Sequence, residues 1–336
     1  MMKILSQKFT VQRLALMFIV TIIAFVGASV LLGIYNLSGM EILFKSEIGI
    51  PTRHELLAIT SVNYVNPAFC KVLRSAIHNE VPMMVLNFHG SSDKLIKINR
   101  YHEISKVLSH SMPETILLFM DGYDVLFQES GQEIIKKYRS FDKAMVNSVE
   151  KFCWPWSTQN TFKYCEDYPR NLEVEDMYSR TKYPTSNHEA NLAPRFLNSG
   201  LMMASTTEAV LFFQDALKYI DEGYSDDQEI ANYIFTSGQR QMVLDYYSTL
   251  FQSMSIAVED LAMNKTSGRF KNNRTNVYPS LLHFNGPSKP VFFPTEEKLW
   301  FHQEQFKNDH NVTSKGFFLP DWSFVHFKDA CPGIDI

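Results

Sequence analysis

Several features are scarce or missing in this sequence of 336 residues, and each absence argues against a class of protein. No low-complexity tract or internal repeat is evident. With 45% hydrophobic and 20% charged residues, the chain is globular material, enough for one large domain or two small ones. An excess of basic residues is missing, since the formal net charge is −4, which argues against a nucleic acid partner. The four cysteines are not accompanied by clustered histidines, which argues against a zinc site.

A long hydrophobic run near the N-terminus sets the predicted topology. The 22 residues from Leu14 to Tyr35 carry no charge, and about 20 apolar residues suffice to cross a bilayer. Three cations precede the run and mixed charges follow it, which favours a cytosolic N-terminus. We therefore predict a cytosolic tail (1–13), a transmembrane signal anchor (14–35) and a stem (36–51). A cleaved signal peptide is the alternative, although its apolar core usually spans about 7–15 residues.

This topology predicts a single-pass type II membrane protein whose main part lies in the lumen of the endoplasmic reticulum or Golgi. Removing the three N-terminal cations from the net charge of −4 leaves −7 for that part. Its cysteines are in a compartment where disulfides persist, and Cys153 and Cys165 are predicted to pair across one aromatic-rich loop. Sequons for N-linked glycans at Asn264, Asn273 and Asn311 are consistent with this route.

Apolar runs alternate with helical patterns from residue 55 onward. We predict strands at 55–60, 82–89, 115–120, 143–150, 195–204 and 280–286, and helices at 67–79, 93–109, 131–138, 206–221 and 226–236. This alternation predicts an α/β fold with a mainly parallel, Rossmann-like sheet flanked by helices. The stretch 151–193 is too long and polar for an ordinary connector, which indicates a functional loop. Residues 296–336 are predicted to form a C-terminal extension.

The segment TILLFMDGYDVLF (115–127) contains the first candidate site residues. Asp121 and Asp124 follow an apolar run that predicts a buried strand, so both carboxylates fall at its carboxyl end, where α/β folds place ligand sites. Two carboxylates three residues apart in a short turn can reach one Mg²⁺ or Mn²⁺ ion, which can in turn hold a diphosphate. A turn that only closes the strand is the alternative, because Asp and Gly are ordinary turn residues.

Five motifs, in this order, resemble a known family. They are MDGYDVLF (120–127), FCWP (152–155), RFLNSG (195–200), DDQ (226–228) and HFNGP (283–287). Over about residues 55–290 the chain resembles the glycosyltransferase domain of the procollagen lysyl hydroxylases. The resemblance implies a GT-A glycosyltransferase fold over residues 52–295, which uses UDP-sugars and Mn²⁺. The iron-dependent hydroxylase portion of that family is not expected in a chain of this length.

The resemblance implies the metal and base sites. Asp121, Asp124 and His283 would bind the metal, and Tyr123 would stack on the uracil ring. The cation would screen the diphosphate and stabilise the leaving UDP. A core histidine is the alternative for His283 alone, but its place in the HFNGP motif favours the metal role.

The same resemblance implies further donor-side and acceptor-side residues. Asp226 and Asp227 match an acidic run near the acceptor, where one could accept a proton from the incoming hydroxyl or stabilise a cationic sugar. Helix N-capping is the alternative, and both roles can hold at once. Trp154 would lie beside the sugar, whose C–H face packs on an indole ring, with a buried core tryptophan as the alternative. The remaining predicted donor-binding residues are Thr60, Lys97 (with Lys94 as a competitor), Asn198, Ser199, Gly200, Asn285 and Gly286. A solvated helix lysine is the alternative for Lys97.

The sequence thus predicts a membrane-anchored glycosyltransferase that moves galactose or glucose from a UDP-hexose to a hydroxyl of a protein or glycan acceptor. The resemblance suggests hydroxylysine of collagen-like protein as one acceptor, while inversion or retention stays open. Three alternatives are a catalytically weak relative that acts as a lumenal scaffold, a transferase for a lipid or glycan acceptor, and a metal-dependent phosphohydrolase. The last class often needs more metal ligands than the sequence offers.

Overall fold

The computed structural model describes residues 54–90, 94–142, 145–155, 161–181, 188–303 and 315–334. Among these residues no helix is both long enough and apolar enough to cross a membrane. The predicted tail, anchor and stem lie outside the described residues, as does the sequon at Asn311.

Strands and helices alternate through the first half of the described chain. The strands are β1 (Leu56–Ser61), β2 (Met83–Leu86), β3 (Ile116–Met120), β4 (Val125–Phe127), β5 (Met145–Glu150), β6 (Phe196–Ser205), β7 (Met242–Leu244), β8 (Phe251–Ser253), β9 (Leu261–Asn264), β10 (Arg269–Asn272), β11 (Leu281–His283), β12 (Gly316–Phe318) and β13 (Phe324–His326). The α-helices are α1 (Pro67–His78), α2 (Lys94–Ser111), α3 (Gly131–Tyr138), α4 (Thr161–Asp167), α5 (Leu172–Arg180), α6 (Thr206–Asp221), α7 (Asp227–Thr236), α8 (Phe292–Glu296) and α9 (Phe327–Ala330).

The large sheet is mixed and mostly parallel. Its strand order is β13-β12-β2-β1-β3-β6-β5-β7, and the run from β12 to β3 is parallel throughout. Strand β6 runs antiparallel to both of its neighbours, β3 and β5. A smaller sheet has the order β4-β11-β8, and β9 and β10 form a hairpin. The predicted α/β class with a mostly parallel sheet is confirmed.

Both faces of the large sheet are buried, which explains why its strands lack polar–apolar alternation. Leu56 and Ala58 of β1 point into one hydrophobic cluster, which also contains apolar side chains of α1 and α3. Leu57 and Ile59 point into a second cluster with side chains of α2, α6 and α7. A strand covered by helices on both faces needs apolar residues at every position, and β1 and β3 have this pattern.

An irregularity in the pairing of β5 with β6 lies where the site residues of β6 are found. Met202 pairs with Asn147, but the next pair is Asn198 with Ser148, so residues 199–201 are extra on the β6 side. An extra stretch of this kind bends a strand locally and redirects its side chains. Ser199 and Gly200 therefore leave the ladder with β5, and Gly200 lies at the end of β3, where its carbonyl accepts the Asp121 amide at 3.0 Å.

The residues after 296 join the main body of the fold. Strand β12 pairs in parallel with β2 and antiparallel with β13, so the chain adds two strands to one edge of the large sheet. A disulfide joins Cys70 of α1 to Cys331, 261 residues away in sequence. The second disulfide joins Cys153 to Cys165, so the predicted pair is confirmed.

Candidate active site

Two neighbouring strands of the small sheet bring Asp124 and His283 together. Strand β3 ends at Met120, the turn 121–124 follows, and β4 begins at Val125. Because β4 and β11 pair antiparallel with Val125 opposite His283, the end of the turn meets the end of β11. The Phe284 amide donates to the Asp124 carbonyl at 2.7 Å and fixes this register.

Asp121, Asp124 and His283 form a carboxylate–imidazole cluster. One ligand atom of each residue lies within 4.8 Å of the others. The His283 Nε2 atom is 3.4 Å from Asp121 Oδ2 and 3.6 Å from Asp124 Oδ1. Neither ring nitrogen of this buried histidine has a hydrogen-bond partner among the described residues. Burying a polar atom without a hydrogen-bond partner costs free energy, and binding a cation would provide the missing partner. The three side chains are therefore suited to bind a cation together.

The electrostatics of the cluster favour an ionised Asp121 and a protonated imidazole when no metal is bound. Burial lowers the pKa of His283, but the two neighbouring carboxylates outweigh it and raise the pKa to about 10. Burial raises the pKa of Asp121, but Lys97 and His283 outweigh it and hold that pKa well below its usual range. A divalent cation placed here would replace the imidazole proton as the counter-charge of the carboxylates.

Gly200 provides the space that the cluster needs. A Cβ atom at this position would lie 2.2 Å from His283 Cε1 and 2.8 Å from Asp121 Oδ2. Both distances are far below van der Waals contact, so only glycine lets β6 approach the cluster this closely. The donor chemistry, two carboxylates and one imidazole, suits Mn²⁺ or a similar divalent ion. The residues present therefore fit the predicted metal.

The cluster opens into a cavity of about 600 Å³. Most of the predicted site residues line it, namely Lys97, Asp121, Asp124, Trp154, Asn198, Ser199, Gly200, Asp226, Asp227, His283, Asn285 and Gly286. Residues from the turn after β3, from β6, from the start of α7 and from the end of β11 thus meet around one opening. The volume lies in the range of pockets that hold a small molecule.

Lys97 links the cluster to the opposite wall of the cavity. Its Nζ atom is 3.0 Å from Asp121 Oδ1 and 3.1 Å from Asp227 Oδ2. Burial lowers the pKa of Lys97, but these two carboxylates outweigh it and raise that pKa well above its usual value. Lys97 is therefore a fixed positive charge between the two halves of the site.

Asp226 and Asp227 stand at the start of α7. Asp226 is the N-cap, and its Oδ1 atom accepts the amides of Gln228 and Glu229, both at 3.0 Å. Asp227 Oδ1 accepts the Gln228 amide at 3.1 Å. The capping role weighed from the sequence is therefore present, and both residues also line the cavity. The partial positive charge at a helix N-terminus stabilises the negative charge of carboxylates placed beside it.

Glu150, which the sequence analysis did not single out, is buried at the end of β5 beneath the cavity. Its carboxylate accepts three amide hydrogens, from Gln228 Nε2 at 2.6 Å, Asn285 Nδ2 at 2.8 Å and Asn198 Nδ2 at 3.2 Å. Burial raises the pKa of Glu150, although these donors oppose the shift. Glu150 thus ties three other wall residues into one network. A recognisable signal was present, since an acidic residue ends a buried strand just before the FCWP motif.

Trp154 lies at the rim of the cavity with 52% of its surface exposed. Its carbonyl accepts a hydrogen bond from Asn232 Nδ2 of α7 at 2.7 Å. The Cys153–Cys165 disulfide holds the adjacent residue against α4. The backbone is therefore fixed on both sides while the indole ring faces the opening, unlike a buried core tryptophan.

Thr60 and Tyr123 lie apart from the cavity wall. Thr60 is fully buried under the turn, and its hydroxyl would be 2.9 Å from a Cβ placed on Gly122. Tyr123 is half-buried, with its ring against that of Tyr64 at a centroid distance of 5.3 Å. The structure places both residues at the turn that carries Asp121 and Asp124, next to the metal ligands.

Lys289 is a second wall residue that the sequence analysis missed. It follows the HFNGP motif on the 3-10 segment Gly286–Val291. Its Nζ atom is 3.4 Å from Asp124 Oδ2, and its side chain is 66% exposed. A long, exposed cation next to the metal ligands can reach a diphosphate bound there.

The sequence model of the family described as the PLOD GT domain matches residues 52–296. The chain therefore belongs to this family of glycosyltransferase domains, whose span contains every residue of the cluster. The hydroxylase-family resemblance drawn from the five motifs is confirmed.

Curated relatives are similar over about half of the chain. One is procollagen-lysine,2-oxoglutarate 5-dioxygenase of Drosophila melanogaster, 30% identical over 53% of this chain and 22% of the relative. Uncharacterized protein R699 of Acanthamoeba polyphaga mimivirus is 29% identical over 57% of the chain and 36% of the relative. The human multifunctional procollagen lysine hydroxylase and glycosyltransferase LH3 is 27% identical over 52% and 21%. The matched region spans between a fifth and about a third of these relatives.

Among solved structures, a glycosyltransferase involved in glycosylation of the major capsid protein of PBCV-1 is similar over 73% of this chain and 99% of its own. Its sequence identity is 11% and its TM-score is 0.42.

Proposed function

We propose that this chain is a metal-dependent glycosyltransferase of the GT-A fold that transfers a hexose, galactose or glucose, from a UDP-sugar to a hydroxyl acceptor. One observation carries the proposal: the carboxylate–imidazole cluster opens into a cavity large enough for a sugar. Membership of the PLOD GT domain family supports the reaction class. Mn²⁺ or another divalent cation bound by Asp121, Asp124 and His283 would neutralise the donor diphosphate and stabilise the UDP leaving group.

The charge of the cavity wall supports the need for a cation. Six carboxylates line the cavity, against two lysines; they are Asp121, Asp124, Glu150, Glu189, Asp226 and Asp227. A free diphosphate would be repelled by this wall, whereas a metal–diphosphate complex brings its own positive charge. Lys289 stands at the opening beside Asp124, where it can bind a phosphate oxygen.

The acidic wall at the start of α7 supports an acceptor that carries positive charge. Asp226 and Asp227 line the same cavity as the cluster, and Lys97 bridges Asp227 to Asp121. An amino group next to the reacting hydroxyl, as in hydroxylysine of collagen-like protein, would find its counter-charge there. A carboxylate of this pair would also accept the proton of the attacking hydroxyl or stabilise a cationic sugar.

The proposed activity is tested with the purified full-length chain in detergent. We expect UDP to be released from UDP-galactose or UDP-glucose in the presence of Mn²⁺, with faster release when a hydroxylysine peptide is added. A chelator should stop the release, and excess Mn²⁺ should restore it. Absence of release from every UDP-sugar tested, or release that the chelator does not affect, would contradict the proposal.

Metal binding should release a proton from His283. In the metal-free chain the pKa of this imidazole is about 10, against an unfolded value near 6.5, so its stabilising contribution is complete below about pH 6.5. That contribution is lost as pH rises through about 10.

Because the metal needs the neutral ring of His283, the affinity for Mn²⁺ should rise about tenfold per pH unit between pH 6 and 9. Calorimetry at pH 7 in two buffers of different ionisation enthalpy measures the released proton directly. Binding without proton release would contradict a protonated His283 that gives up its proton to the metal.

We also propose that the domain works in the lumen of the endoplasmic reticulum or Golgi, as a single-pass type II membrane protein. The two disulfides support this location, because disulfides persist in oxidising compartments. The membrane anchor at residues 14–35 is proposed from the sequence.

A lumenal location predicts a glycan at Asn273 and none at Asn264. Asn273 is exposed in a turn after β10, so the folded chain can carry a glycan there. The Asn264 Oδ1 atom accepts the amides of Thr266 and Ser267, and its Nδ2 atom, where a glycan would attach, donates to the Tyr278 hydroxyl. A glycan on Nδ2 would therefore collide with Tyr278. Glycopeptide mass spectrometry of the chain from a eukaryotic secretory cell gives the occupancy of each site. An occupied Asn264 with an empty Asn273, or no glycan at either, would contradict this prediction.

A further inference from the structure

Tyr64 is a large aromatic residue with 53% of its surface exposed, and the site described above does not use it. It lies in the loop between β1 and α1, at the carboxyl end of β1. Its ring packs against the ring of Tyr123 at a centroid distance of 5.3 Å and an angle of 30°. Tyr123 in turn lies between Asp121 and Asp124 in sequence, so the aromatic pair adjoins the metal ligands.

The backbone of this loop is held at both ends. At the first end, the Val62 amide donates to the Leu86 carbonyl of β2 at 3.0 Å. At the other end, Asn66 caps α1 by accepting the Phe69 amide at 2.8 Å. Tyr64 is therefore presented by a short, anchored loop, and its position beside the turn does not depend on its own side chain.

The two rings differ in how firmly they are held. The Tyr123 hydroxyl reaches Asn63 Oδ1 at 2.8 Å and the Tyr64 carbonyl at 3.0 Å, and it accepts the Tyr64 amide at 3.2 Å. The Tyr64 hydroxyl has no hydrogen bond within the described residues, so its ring is held by the ring contact alone. Tyr123 is thus a fixed wall, and Tyr64 can rotate about its side-chain bonds.

We propose that Tyr64 forms the second wall of the base slot and sandwiches the pyrimidine base of a nucleoside diphosphate against Tyr123. This inference rests on the proposed donor site. Before the donor binds, Tyr64 covers the Tyr123 face. When the base enters, the ring separation grows from 5.3 Å to roughly 7 Å, twice the contact distance of about 3.5 Å between carbon atoms.

The distribution of charged residues also favours binding of the pyrimidine base at the Tyr64–Tyr123 pair. Six carboxylates line the cavity next to the cluster, and they suit the metal and the sugar hydroxyls better than an uncharged aromatic base. The tyrosine pair does not line that cavity, and it offers two neutral π-faces at the turn between Asp121 and Asp124. A diphosphate held at Asp121 and Asp124 would therefore extend its sugar into the cavity and its base toward the pair.

The test separates binding of the base from binding of the diphosphate. In the full-length chain with Mn²⁺, the dissociation constants of UDP and of inorganic pyrophosphate are measured for the wild type, Tyr64→Ala and Tyr64→Phe. Loss of one stacking ring should weaken UDP about tenfold in Tyr64→Ala, because base–aromatic stacking is worth about 1–3 kcal/mol. Tyr64→Phe keeps the ring and should bind UDP within about twofold of wild type. Pyrophosphate should bind equally to all three. Phe324→Ala, an exposed aromatic residue on the edge strand β13, is the matched control.

A tryptophan variant gives an independent readout that does not depend on how the alanine variant folds. In Tyr64→Trp, UDP should quench the fluorescence more than it does in the wild type, whereas pyrophosphate should not. UDP affinity unchanged in Tyr64→Ala, an equal loss for both ligands, or no additional quenching in Tyr64→Trp would overturn the inference. A wild-type chain that binds no UDP with Mn²⁺ would instead refute the proposed donor site itself.

Discussion

Replacing Asp124 with asparagine should lower kcat/KM for UDP-hexose by about a thousandfold or more, equivalent to about 4 kcal/mol of transition-state stabilisation. Asp124 is nearly buried, and its carboxylate is 3.6 Å from His283 Nε2. The neutral amide has the same shape but removes one of the two negative charges that attract the cation. Metal binding and stabilisation of the leaving diphosphate should therefore fail together.

The fold should survive this change, which separates the metal role from an acidic turn that only closes a strand. Removing the Asp124 charge relieves its repulsion from Asp121, which offsets the lost attraction to His283, and the backbone bonds of the turn remain. The melting temperature of the metal-free variant should stay within a few degrees of wild type. Asp142→Asn, at an exposed position after α3, is the matched control and should keep full activity. Global unfolding of Asp124→Asn, or activity within tenfold of wild type, would favour the purely structural role.

Replacing Gly200 with alanine should weaken Mn²⁺ binding at least a hundredfold, although no ligand atom is removed. The new methyl group would lie 2.2 Å from His283 Cε1 and 2.8 Å from Asp121 Oδ2. The buried imidazole cannot move away freely, so the ring or the carboxylate must leave its position in the cluster. Overpacking at such a site costs about 1–3 kcal/mol of stability as well.

Gly238→Ala is the matched control for this loss of stability. Gly238 has a φ of +68° and nothing within 4 Å of an added Cβ, so alanine there strains the backbone without touching the cluster. We expect Gly238→Ala to lower the melting temperature and to leave Mn²⁺ affinity unchanged. Calorimetric titration of both variants decides the point. Equal Mn²⁺ affinity in Gly200→Ala and wild type would show that the cation does not bind at this cluster.

Local sequence patterns were sufficient to predict five strands of the large sheet (β1, β2, β3, β5 and β6) and the helices that cover it, but not β7, β12 or β13. The apolar run before Asp121 predicts β3, because a strand with helices on both faces has no polar face. The family resemblance then placed Asp121, Asp124 and His283 at one site, which periodicity alone could not do. His283 follows Asp124 by 159 positions, and only the pairing of β4 with β11 brings them together.

Other parts of the site were outside the reach of local patterns. The place of Glu150 before the FCWP motif was a local signal, but its three amide partners come from β6, α7 and the segment after β11, which no local pattern shows. The addition of β12 and β13 to the sheet depends on one pairing with β2 and on the distant Cys70–Cys331 bond. These contacts join segments that are far apart in sequence, so the spacing of residues within one segment does not predict them. The role proposed for Tyr64 likewise depends on its contact with Tyr123, which the sequence does not show.

The central claim is that Asp121, Asp124 and His283 hold one divalent cation that carries the diphosphate of a UDP-sugar. Anomalous diffraction at the manganese edge, from crystals grown with Mn²⁺ and UDP, tests it most directly. The account predicts one anomalous peak within bonding distance of all three side chains and of the UDP phosphates. A peak elsewhere, or UDP bound in the cavity without any peak at the cluster, would contradict it.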